Sequence, residues 1–164
     1  MIESIPLPTL DDPVDAPFWA GCRHGQLLIQ HCADCGRAHH PPRAMCPHCR
    51  ADAFVWRPAA GTGRLWSYAV PNPPLLPAFA ALLPYVVGVV ELDDHPGLRL
   101  VGALAAPGAS AIGGVDPAQV GIGAPVAVHF IAVTDDTTLP CWTLSTPTPA
   151  AIPAGTPASR EDLS

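Results

Sequence analysis

Four cysteines with the spacing of metal ligands lie in the stretch CADCGRAHHPPRAMCPHC. Cys32 and Cys35 form one Cys-x2-Cys pair, and Cys46 and Cys49 form a second pair after ten intervening residues. Each pair can form a tight turn that directs two thiolates toward one ion, and two such turns complete a tetrahedron. The pattern therefore predicts a four-cysteine zinc ribbon, with an iron or iron–sulfur site as the alternative.

The residues around the pairs support this interpretation and indicate a structural ion. Gly36 follows the first pair, where such a turn often needs a residue with positive φ. Pro41, Pro42 and Pro47 stiffen the connection and restrict the metal-free chain. Because four thiolates leave no coordination position for water or substrate, we expect the zinc to fold a segment too small to build its own core.

Other side chains with metal-binding or nucleophilic chemistry are expected to have lesser roles. Four histidines lie in or beside the cluster: His31, His39, His40 and His48. Since four well-spaced cysteines are present, we expect these histidines outside the ligand set, around it or on the surface. Cys22 and Cys141 have no evident base partner in the sequence, and we expect them to be small buried apolar residues.

The remaining segments predict a short helix and five strands. The helix is expected within residues 12–28, with Asp15 as its cap and with Phe18, Trp19 and Cys22 on one face. Alternating or β-branched residues predict strands at residues 65–70, 85–92, 98–105, 125–133 and 139–144. The sequence DDHPG joins the second and third strands in a hairpin, and DPAQVGIG leaves room for one helical turn before the fourth.

The predicted fold is mainly β, with an N-terminal helical segment, a zinc ribbon and a five-stranded barrel of OB type. Gly88 and Gly102 lie inside strands and are expected at bends of the barrel, with a β-sandwich as the alternative fold. The tryptophans are expected to pack in the core or between modules: Trp19, Trp56, Trp66 and Trp142. The predicted divisions are an arm with the helix (1–28), the ribbon (29–57), the barrel (58–145) and a disordered Pro/Thr/Ala-rich tail (146–164).

Charge is unevenly distributed along this chain of 164 residues, whose formal net charge is −6. Residues 20–64 contain six arginines and two acidic residues, residues 65–164 contain two arginines and eight acidic residues, and lysine is absent. Nucleic-acid binding needs a positive field over the approach surface, and the acidic barrel disfavours it. The basic end better suits a smaller anion or an acidic patch on a partner, with Arg37, Arg43 and Arg50 as candidate contacts.

An apolar loop, PNPPLLPAFAALLP, joins the first two predicted strands between residues 71 and 84. Because surface loops are normally polar, these apolar side chains require a cover. Either the loop folds back over the mouth of the barrel or it contacts another protein. We favour a partner interface formed by Leu75, Leu76, Phe79, Leu82 and Leu83.

The sequence contains no recognisable set of catalytic residues. The GTG at Gly61–Gly63 lacks the third glycine and the following helix of a dinucleotide-binding loop, so it predicts a turn. The N-terminus does not resemble a signal peptide, and the most apolar stretch, residues 75–90, is too short to span a bilayer. We therefore expect a cytoplasmic protein that does not contact the membrane and is not an enzyme on its own.

The order of these motifs resembles the DUF35 family. The resemblance rests on APFWAGCRHGQLLIQHCADCGRAHHPPRAMCPHC, followed by GTGRLWSYAV, PYVVGVVEL, GIGAPVAVHF and LPCWTL, and it covers about residues 14–145. It implies a helical segment, a rubredoxin-like zinc ribbon and an OB fold. It also implies a role beside thiolase-like enzymes of acyl-CoA metabolism, which supply the catalytic residues, so that only the four zinc cysteines carry over.

Together, the residues and the resemblance predict a non-catalytic subunit that stabilises a thiolase-like enzyme and helps to form its acyl-CoA site. The enzyme is expected to be a thiolase, an acyltransferase or a steroid side-chain aldolase, and the three arginines named above are candidate contacts for CoA. Two alternatives remain open. The chain is a partner of a MaoC-like enoyl-CoA hydratase in the first, and a nucleic-acid-binding module in the second.

Overall fold

The computed structural model describes residues 5–145 of the chain, and the predicted disordered tail at 146–164 lies outside them. Helix α1 spans Ala16–Arg23 and buries Phe18 and Cys22, which confirms the predicted helix and its apolar face. Among the described residues, no helix is both long enough and apolar enough to cross a membrane.

The residue before α1 does not cap the helix as predicted. Asp15 directly precedes the helix, but its side chain makes no hydrogen bond to a helical N–H group. Its carboxylate instead accepts a hydrogen bond from Nε1 of Trp19 at 3.1 Å. The capping prediction was wrong because the Asp15 backbone is helical rather than extended, with φ −119° and ψ −3°, and because Pro17 has no N–H to donate.

Three short strands form the sheet of the ribbon. β1 spans Leu28–Cys32, β2 spans Ala38–His39 and β3 spans Phe54–Pro58. β1 lies in the middle of the sheet and is antiparallel to both neighbours. Because β1 ends at Cys32, the sheet positions the turn that carries Cys32 and Cys35.

Five further strands form a second, larger sheet. They are β4 Thr62–Ala69, β5 Val87–Leu92, β6 Arg99–Ala103, β7 Pro125–Ala132 and β8 Thr138–Leu144. Their order is β6-β5-β4-β7-β8, with antiparallel neighbours throughout. Leu104 pairs in parallel with Trp142, and the N–H of Ala105 donates to the carbonyl of Trp142 at 2.9 Å. The two edges of the sheet therefore meet, which supports the predicted OB-type barrel over a sandwich.

The connections between these strands match the sequence-based expectations, with one addition. β5 and β6 pair as the hairpin that the DDHPG turn predicts. A single 3₁₀ turn at Pro117–Gln119 precedes β7, again as expected. The apolar loop contains a short helix, α2, at Pro77–Ala80, which the sequence analysis did not predict.

A β-bulge in β4 changes which side chains face the core. The pairing with β5 shifts between Leu65 and Ser67, so strict alternation ends there. Leu65 is fully buried, Trp66 is 53% exposed and Tyr68 again packs against the core. The expectation that Trp66 packs in the core or between modules was wrong, because Leu65 directly before it points into the core and successive side chains of a strand point to opposite faces. There the guanidinium of Arg99 covers the ring, 3.5 Å from its centroid.

One cluster of buried apolar side chains joins the helix, the ribbon sheet and the barrel. Phe18 of α1, Ile29 of β1 and Trp142 of β8 all belong to it. Trp19 and Trp56 pack against its margin, in agreement with their predicted packing role. The helix, the ribbon and the barrel share this one core, so separate cores do not mark where one part ends and the next begins. The domain boundaries given above therefore stay predictions.

Gly88 and Gly102 face each other across β5 and β6 and leave space for core side chains. A Cβ atom at Gly88 would lie 2.8 Å from the Cδ1 atoms of Leu65 and Leu104. A Cβ atom at Gly102 would lie 2.9 Å from the indole of Trp142. The two glycines thus allow large side chains to fill the barrel at this level.

Candidate metal centre and its surroundings

The four paired cysteines converge on one small volume. All four Sγ atoms lie within 4.8 Å of one another, and the cluster comprises Cys32, Cys35, Cys46 and Cys49. The Sγ atoms of Cys32 and Cys49 are 3.4 Å apart, and those of Cys35 and Cys46 are 3.7 Å apart. Four sulfurs around a tetrahedral zinc ion lie about 3.8 Å from each other, since each Zn–S bond is about 2.3 Å long. The donor set and its spacing therefore fit a four-thiolate metal site.

The two cysteine pairs form equivalent turns. In the first, the N–H of Gly36 donates to the carbonyl of Cys32 at 3.0 Å, and in the second, the N–H of Arg50 donates to the carbonyl of Cys46 at 2.9 Å. Gly36 has φ +71°, as the sequence analysis expected, and Arg50 has φ 65° at the corresponding position. A positive φ is unfavourable for an arginine, so the second turn imposes backbone strain that the first turn avoids.

The second turn also favours the thiolate form of a ligand. Burial opposes ionisation of the Cys46 thiol, but hydrogen bonds from the backbone N–H groups of Cys49 and His48 and from the side chains of Cys49 and Cys35 together lower the pKa of Cys46 to about 5. The thiolate is the form of cysteine that coordinates a metal. The backbone and thiol contacts of Cys46 together thus favour the form that coordinates a metal.

The histidines near the cluster lie outside the four-sulfur group. His39 is buried, and its Nε2 atom lies 3.4 Å from the Sγ atom of Cys46. The edge of Phe54 meets the His39 ring, with the ring centroids 6.2 Å apart. His39 therefore contacts the sulfur of a candidate ligand from outside the set of four cysteines, where such contacts orient metal ligands.

A pair of histidines links the ribbon to the barrel. Nδ1 of His31 lies 3.4 Å from the carbonyl oxygen of Gly36, and its Nε2 lies 3.3 Å from Nε2 of His95 in the β5–β6 hairpin. His95 in turn is 2.9 Å from the carboxylate of Asp94. Burial lowers the pKa of His31, which favours its neutral form in this contact. The sequence carried no signal for this link, because the two histidines are 64 residues apart.

A buried amide holds the connection between the two cysteine pairs. Nε2 of Gln30 donates to the carbonyl of Arg43 at 3.0 Å, and the N–H of Arg43 donates to Oε1 of Gln30 at 2.9 Å. Gln30 is 3% exposed, and the oxygen and the nitrogen of its side-chain amide both form hydrogen bonds inside the protein, as buried polar atoms usually do. No pattern in the sequence indicates this role of Gln30, because its partner lies thirteen positions away on a connection without regular structure.

The three candidate anion-binding arginines, Arg37, Arg43 and Arg50, are all exposed. Nη1 of Arg37 lies 2.9 Å from Nδ1 of His48. Both residues line a shallow cleft of about 420 Å³ between the ribbon and the β5–β6 hairpin. The position of the arginines leaves them accessible to an anion, and their role as CoA contacts stays a prediction.

The apolar loop is partly packed on the barrel and partly exposed. The rings of Phe79 and Tyr85 stack with centroids 6.2 Å apart, and Leu82 and Leu83 are half-buried. Leu75 is also half-buried, whereas Leu76 is 60% exposed. Part of the loop is thus folded back and part of it remains exposed for contact with another protein, so both arrangements expected from the sequence are present. Its role as a partner interface stays a prediction.

The two remaining cysteines are buried, as expected. Cys22 is 0% exposed and Cys141 is 1% exposed. Burial raises the pKa of the Cys22 thiol to about 12 and that of the Cys141 thiol to about 11. Both thiols therefore remain protonated near neutral pH and are unsuited to nucleophilic chemistry.

Two family models match consecutive parts of the chain. Residues 19–55 match the model described as the rubredoxin-like zinc ribbon domain of ChsH2, and residues 56–130 match the model described as its C-terminal OB-fold domain. The first match contains all four clustered cysteines, and the second begins in β3 and ends in β7. The two models therefore describe the parts of the chain that carry the cysteine cluster and the barrel.

Several relatives are similar in sequence. The chain is 34% identical over 111 residues to a DUF35 domain-containing scaffold protein of Methanothermobacter thermautotrophicus, covering 67% of this chain and 75% of the relative. It is 37% identical over 134 residues to a probable enoyl-CoA hydratase alpha subunit of Thermomonospora curvata. It is 32% identical over 118 residues to the 3-oxo-4,17-pregnadiene-20-carboxyl-CoA hydratase alpha subunit of Mycobacterium tuberculosis. These two alignments cover 81% and 72% of this chain but 38% and 34% of the relatives, so the chain spans about a third of their length.

Two solved structures have the same fold as this chain, and together with the sequence matches they establish its family. The chain superposes on a chain of the structure described as Ltp2-ChsH2(DUF35) aldolase with a TM-score of 0.71 and 34% identity, covering 84% of this chain and 98% of that chain. A DUF35-family protein of unknown function from Sulfolobus solfataricus shares the fold with a TM-score of 0.52 and 16% identity, over 81% and 86% of the two chains. This chain, with its four-cysteine ribbon and its OB-type barrel, is a member of the DUF35 family.

Proposed function

We propose that this chain is a non-catalytic subunit that stabilises a thiolase-like enzyme and helps to form its acyl-CoA site. The observation that carries the proposal is the superposition on nearly the whole DUF35 chain of a structure described as an aldolase complex. The chemistry of the chain agrees with this role. Among residues 5–145, the cysteine cluster is the only group of three or more histidines, cysteines or acidic residues that could hold an ion. A four-thiolate site has no open position for a substrate.

The proposed metal is zinc in a structural role. The distances between the sulfurs support a closed tetrahedral site, and the matched family model is described as a rubredoxin-like zinc ribbon domain. The ribbon is small and contributes few side chains to the shared core, so the ion would supply much of its folding free energy. The proposal places the protein in the cytoplasm, where cysteines stay reduced and available to the metal.

The proposed interface combines the apolar loop and the basic side of the ribbon. The loop would pack against the partner through Leu76, with Leu75, Phe79, Leu82 and Leu83 at its half-buried base. The exposed arginines of the ribbon would complement the phosphates of a CoA thioester bound to the partner. This arrangement needs no catalytic residue from the chain itself.

A second candidate function is supported by the hydratase relatives. The chain corresponds to about a third of two proteins described as hydratase alpha subunits, one of them acting on a steroid-derived CoA thioester. A chain of this type would then act beside a MaoC-like enoyl-CoA hydratase. The two candidates differ in the fold of the partner, which is thiolase-like in the first and a hot-dog fold in the second.

Affinity purification of the tagged chain tests the proposed function. We expect the chain to be recovered with a thiolase-like protein and, when purified alone, to show no turnover of acyl-CoA thioesters. Mass spectrometry identifies the partner, and a spectrophotometric thioester assay measures turnover. Recovery of a hot-dog-fold protein in place of a thiolase-like one would favour the second candidate. Turnover by the isolated chain would refute both.

The exposed tip of the apolar loop provides a separate prediction. Leu76→Asp is expected to weaken binding to the partner at least tenfold, because a charge at an apolar contact is desolvated without a counterion. Binding is measured by titration calorimetry, and metal content should be unchanged. Ile122→Asp, at a side chain that is 73% exposed but outside the loop, is the matched control. Equal binding of the Leu76 variant and the wild type would place the loop outside the interface.

A further inference from the structure

Two histidine rings from distant parts of the chain face each other between the ribbon and the barrel. His31 lies in β1, and His95 lies in the β5–β6 hairpin. Their Nε2 atoms are 3.3 Å apart, whereas the ring centroids are 5.3 Å apart and the ring planes are inclined at 62°. Because the nitrogens are much closer than the centroids, each Nε2 atom points toward the opposite ring.

The other nitrogen of each ring faces a group that only accepts hydrogen bonds. Nδ1 of His31 lies 3.4 Å from the carbonyl oxygen of Gly36. Nδ1 of His95 lies 2.9 Å from Oδ1 of Asp94, and Oδ2 of this carboxylate accepts a hydrogen bond from the N–H of Ala60 at 2.7 Å. The contact between His95 and Asp94 is close but not aligned as a hydrogen bond. It still favours a hydrogen on Nδ1, because two acceptor atoms at this distance would repel each other.

These contacts determine which nitrogens of the pair carry lone pairs. A neutral imidazole has one N–H group, and in both rings the surroundings place it on Nδ1. The two Nε2 atoms then direct lone pairs at each other across 3.3 Å, which is repulsive unless a cation lies between them. An imidazole whose Nδ1 faces a carboxylate or a carbonyl, with Nε2 free, is also the usual form of a histidine metal ligand.

The separation of the two Nε2 atoms fits a shared metal ion. Two imidazole nitrogens on a tetrahedral zinc ion lie about 3.3–3.4 Å apart, since each Zn–N bond is about 2.0–2.1 Å long. The observed distance of 3.3 Å agrees with this value. Imidazole nitrogens suit zinc, copper and nickel ions, whereas magnesium and calcium prefer oxygen ligands. The pair is therefore suited to a divalent transition-metal ion.

The histidine pair lies beside the shallow cleft between the ribbon and the β5–β6 hairpin. His95 lines this cleft together with Ala38, and its side chain is 16% exposed. Ala38 is the register partner of His31, so both side chains project from the same face of the ribbon sheet. Cys32 follows His31 in β1, and successive side chains of a strand point to opposite faces. The histidine pair is thus accessible from the cleft, on the other face of β1 from the Cys32 side chain.

We propose that Nε2 of His31 and Nε2 of His95 bind one divalent transition-metal ion, separate from the ion of the four cysteines. The ion joins β1 of the ribbon to the β5–β6 hairpin of the barrel, and water occupies the coordination positions that the two rings leave open. Asp94 is a positioning residue that fixes the orientation of the His95 ring. The inference is independent of the proposed function, because it requires no partner protein.

Titration of zinc chloride into the zinc-loaded chain tests this inference. The chain is first dialysed until only the tightly bound ion of the cysteine cluster remains. Calorimetry should then show one further equivalent, with a dissociation constant on the order of 10 μM. We expect no tighter binding, because only two side chains coordinate the ion and Arg57 adds a positive charge near His31. Binding of no further equivalent would overturn the proposal.

Long-range ¹H–¹⁵N NMR spectra of the imidazole groups locate the added ion. The further equivalent should shift the Nε2 signals of His31 and His95 and leave the hydrogen of each ring on Nδ1. It should not shift the imidazole signals of His24, an exposed residue that follows α1. Unchanged Nε2 signals of the pair would contradict the assignment even if calorimetry detected binding.

A variant of the hairpin histidine provides the second half of the test. His95→Gln is expected to weaken binding of the further equivalent at least tenfold and to retain the first zinc. His24→Gln is the matched control and should change neither. Persistence of the further equivalent in His95→Gln would place the ion elsewhere and refute the proposal. If His95→Gln does not fold, the NMR spectra of the wild-type chain decide, and the proposed function depends separately on co-purification.

Discussion

Cys46→Ser is expected to lose its metal and its folded ribbon together. Serine keeps the size of the side chain but removes the thiolate, so three sulfurs would remain around the ion. Structural zinc sites contribute about 10–16 kcal/mol of binding free energy at neutral pH, which is comparable to the whole stability of a domain. Backbone N–H groups of Cys49 and His48 also stabilise the Cys46 thiolate. The expected measurements are less than one zinc per chain by elemental analysis and a loss of the folded circular-dichroism signal.

Cys141→Ser is the matched control for this experiment. It makes the same chemical change at a thiol that is 1% exposed and belongs to the barrel core. We expect it to reduce the free energy of unfolding by about 1–3 kcal/mol, the cost of burying a hydroxyl without a partner, and to retain one zinc per chain. A folded, stable Cys46→Ser protein that had lost only the activity of its complex would contradict the structural role of the metal.

Trp142→Ala is expected to have the largest effect on the barrel. The side chain is 1% exposed and fills the space that Gly102 leaves free, beside the point where the two edges of the sheet meet. Removing a buried tryptophan typically costs about 3–5 kcal/mol, because transfer free energy is lost and the cavity does not collapse fully. The free energy of unfolding from urea titration should therefore fall by this amount, and retention of most of the stability would mean that the barrel repacks around the gap.

Trp66→Ala is the matched control for Trp142→Ala. Trp66 lies on the outside of the barrel at the bulge, and the guanidinium of Arg99 covers its ring. Such a contact at an exposed site is worth about 0.5–1 kcal/mol, so the free energy of unfolding should fall by no more than about 1 kcal/mol. A similar loss for both tryptophans would contradict the outward position of Trp66.

The parts of the protein that could be predicted depend on patterns read along the chain. The paired cysteines indicate a metal site because each pair needs only a local turn, which the equivalent hydrogen bonds of Gly36 and Arg50 close. The five barrel strands follow from alternation and from turn residues such as DDHPG. Helix α1 was predicted because its buried residues have the spacing of one helical face.

The features that could not be predicted depend on a shift of one residue or on distant contacts. The bulge after Leu65 brings Tyr68, two residues beyond the outward-facing Trp66, back to the core face, and alternation alone cannot locate a bulge. The contact between His31 and His95 joins segments that lie far apart in the chain. The sequence was therefore sufficient for the clustered cysteines, the order of the elements and the family. The burial of each side chain and the meeting of helix, ribbon and barrel required the folded structure, because these depend on which surfaces pack together.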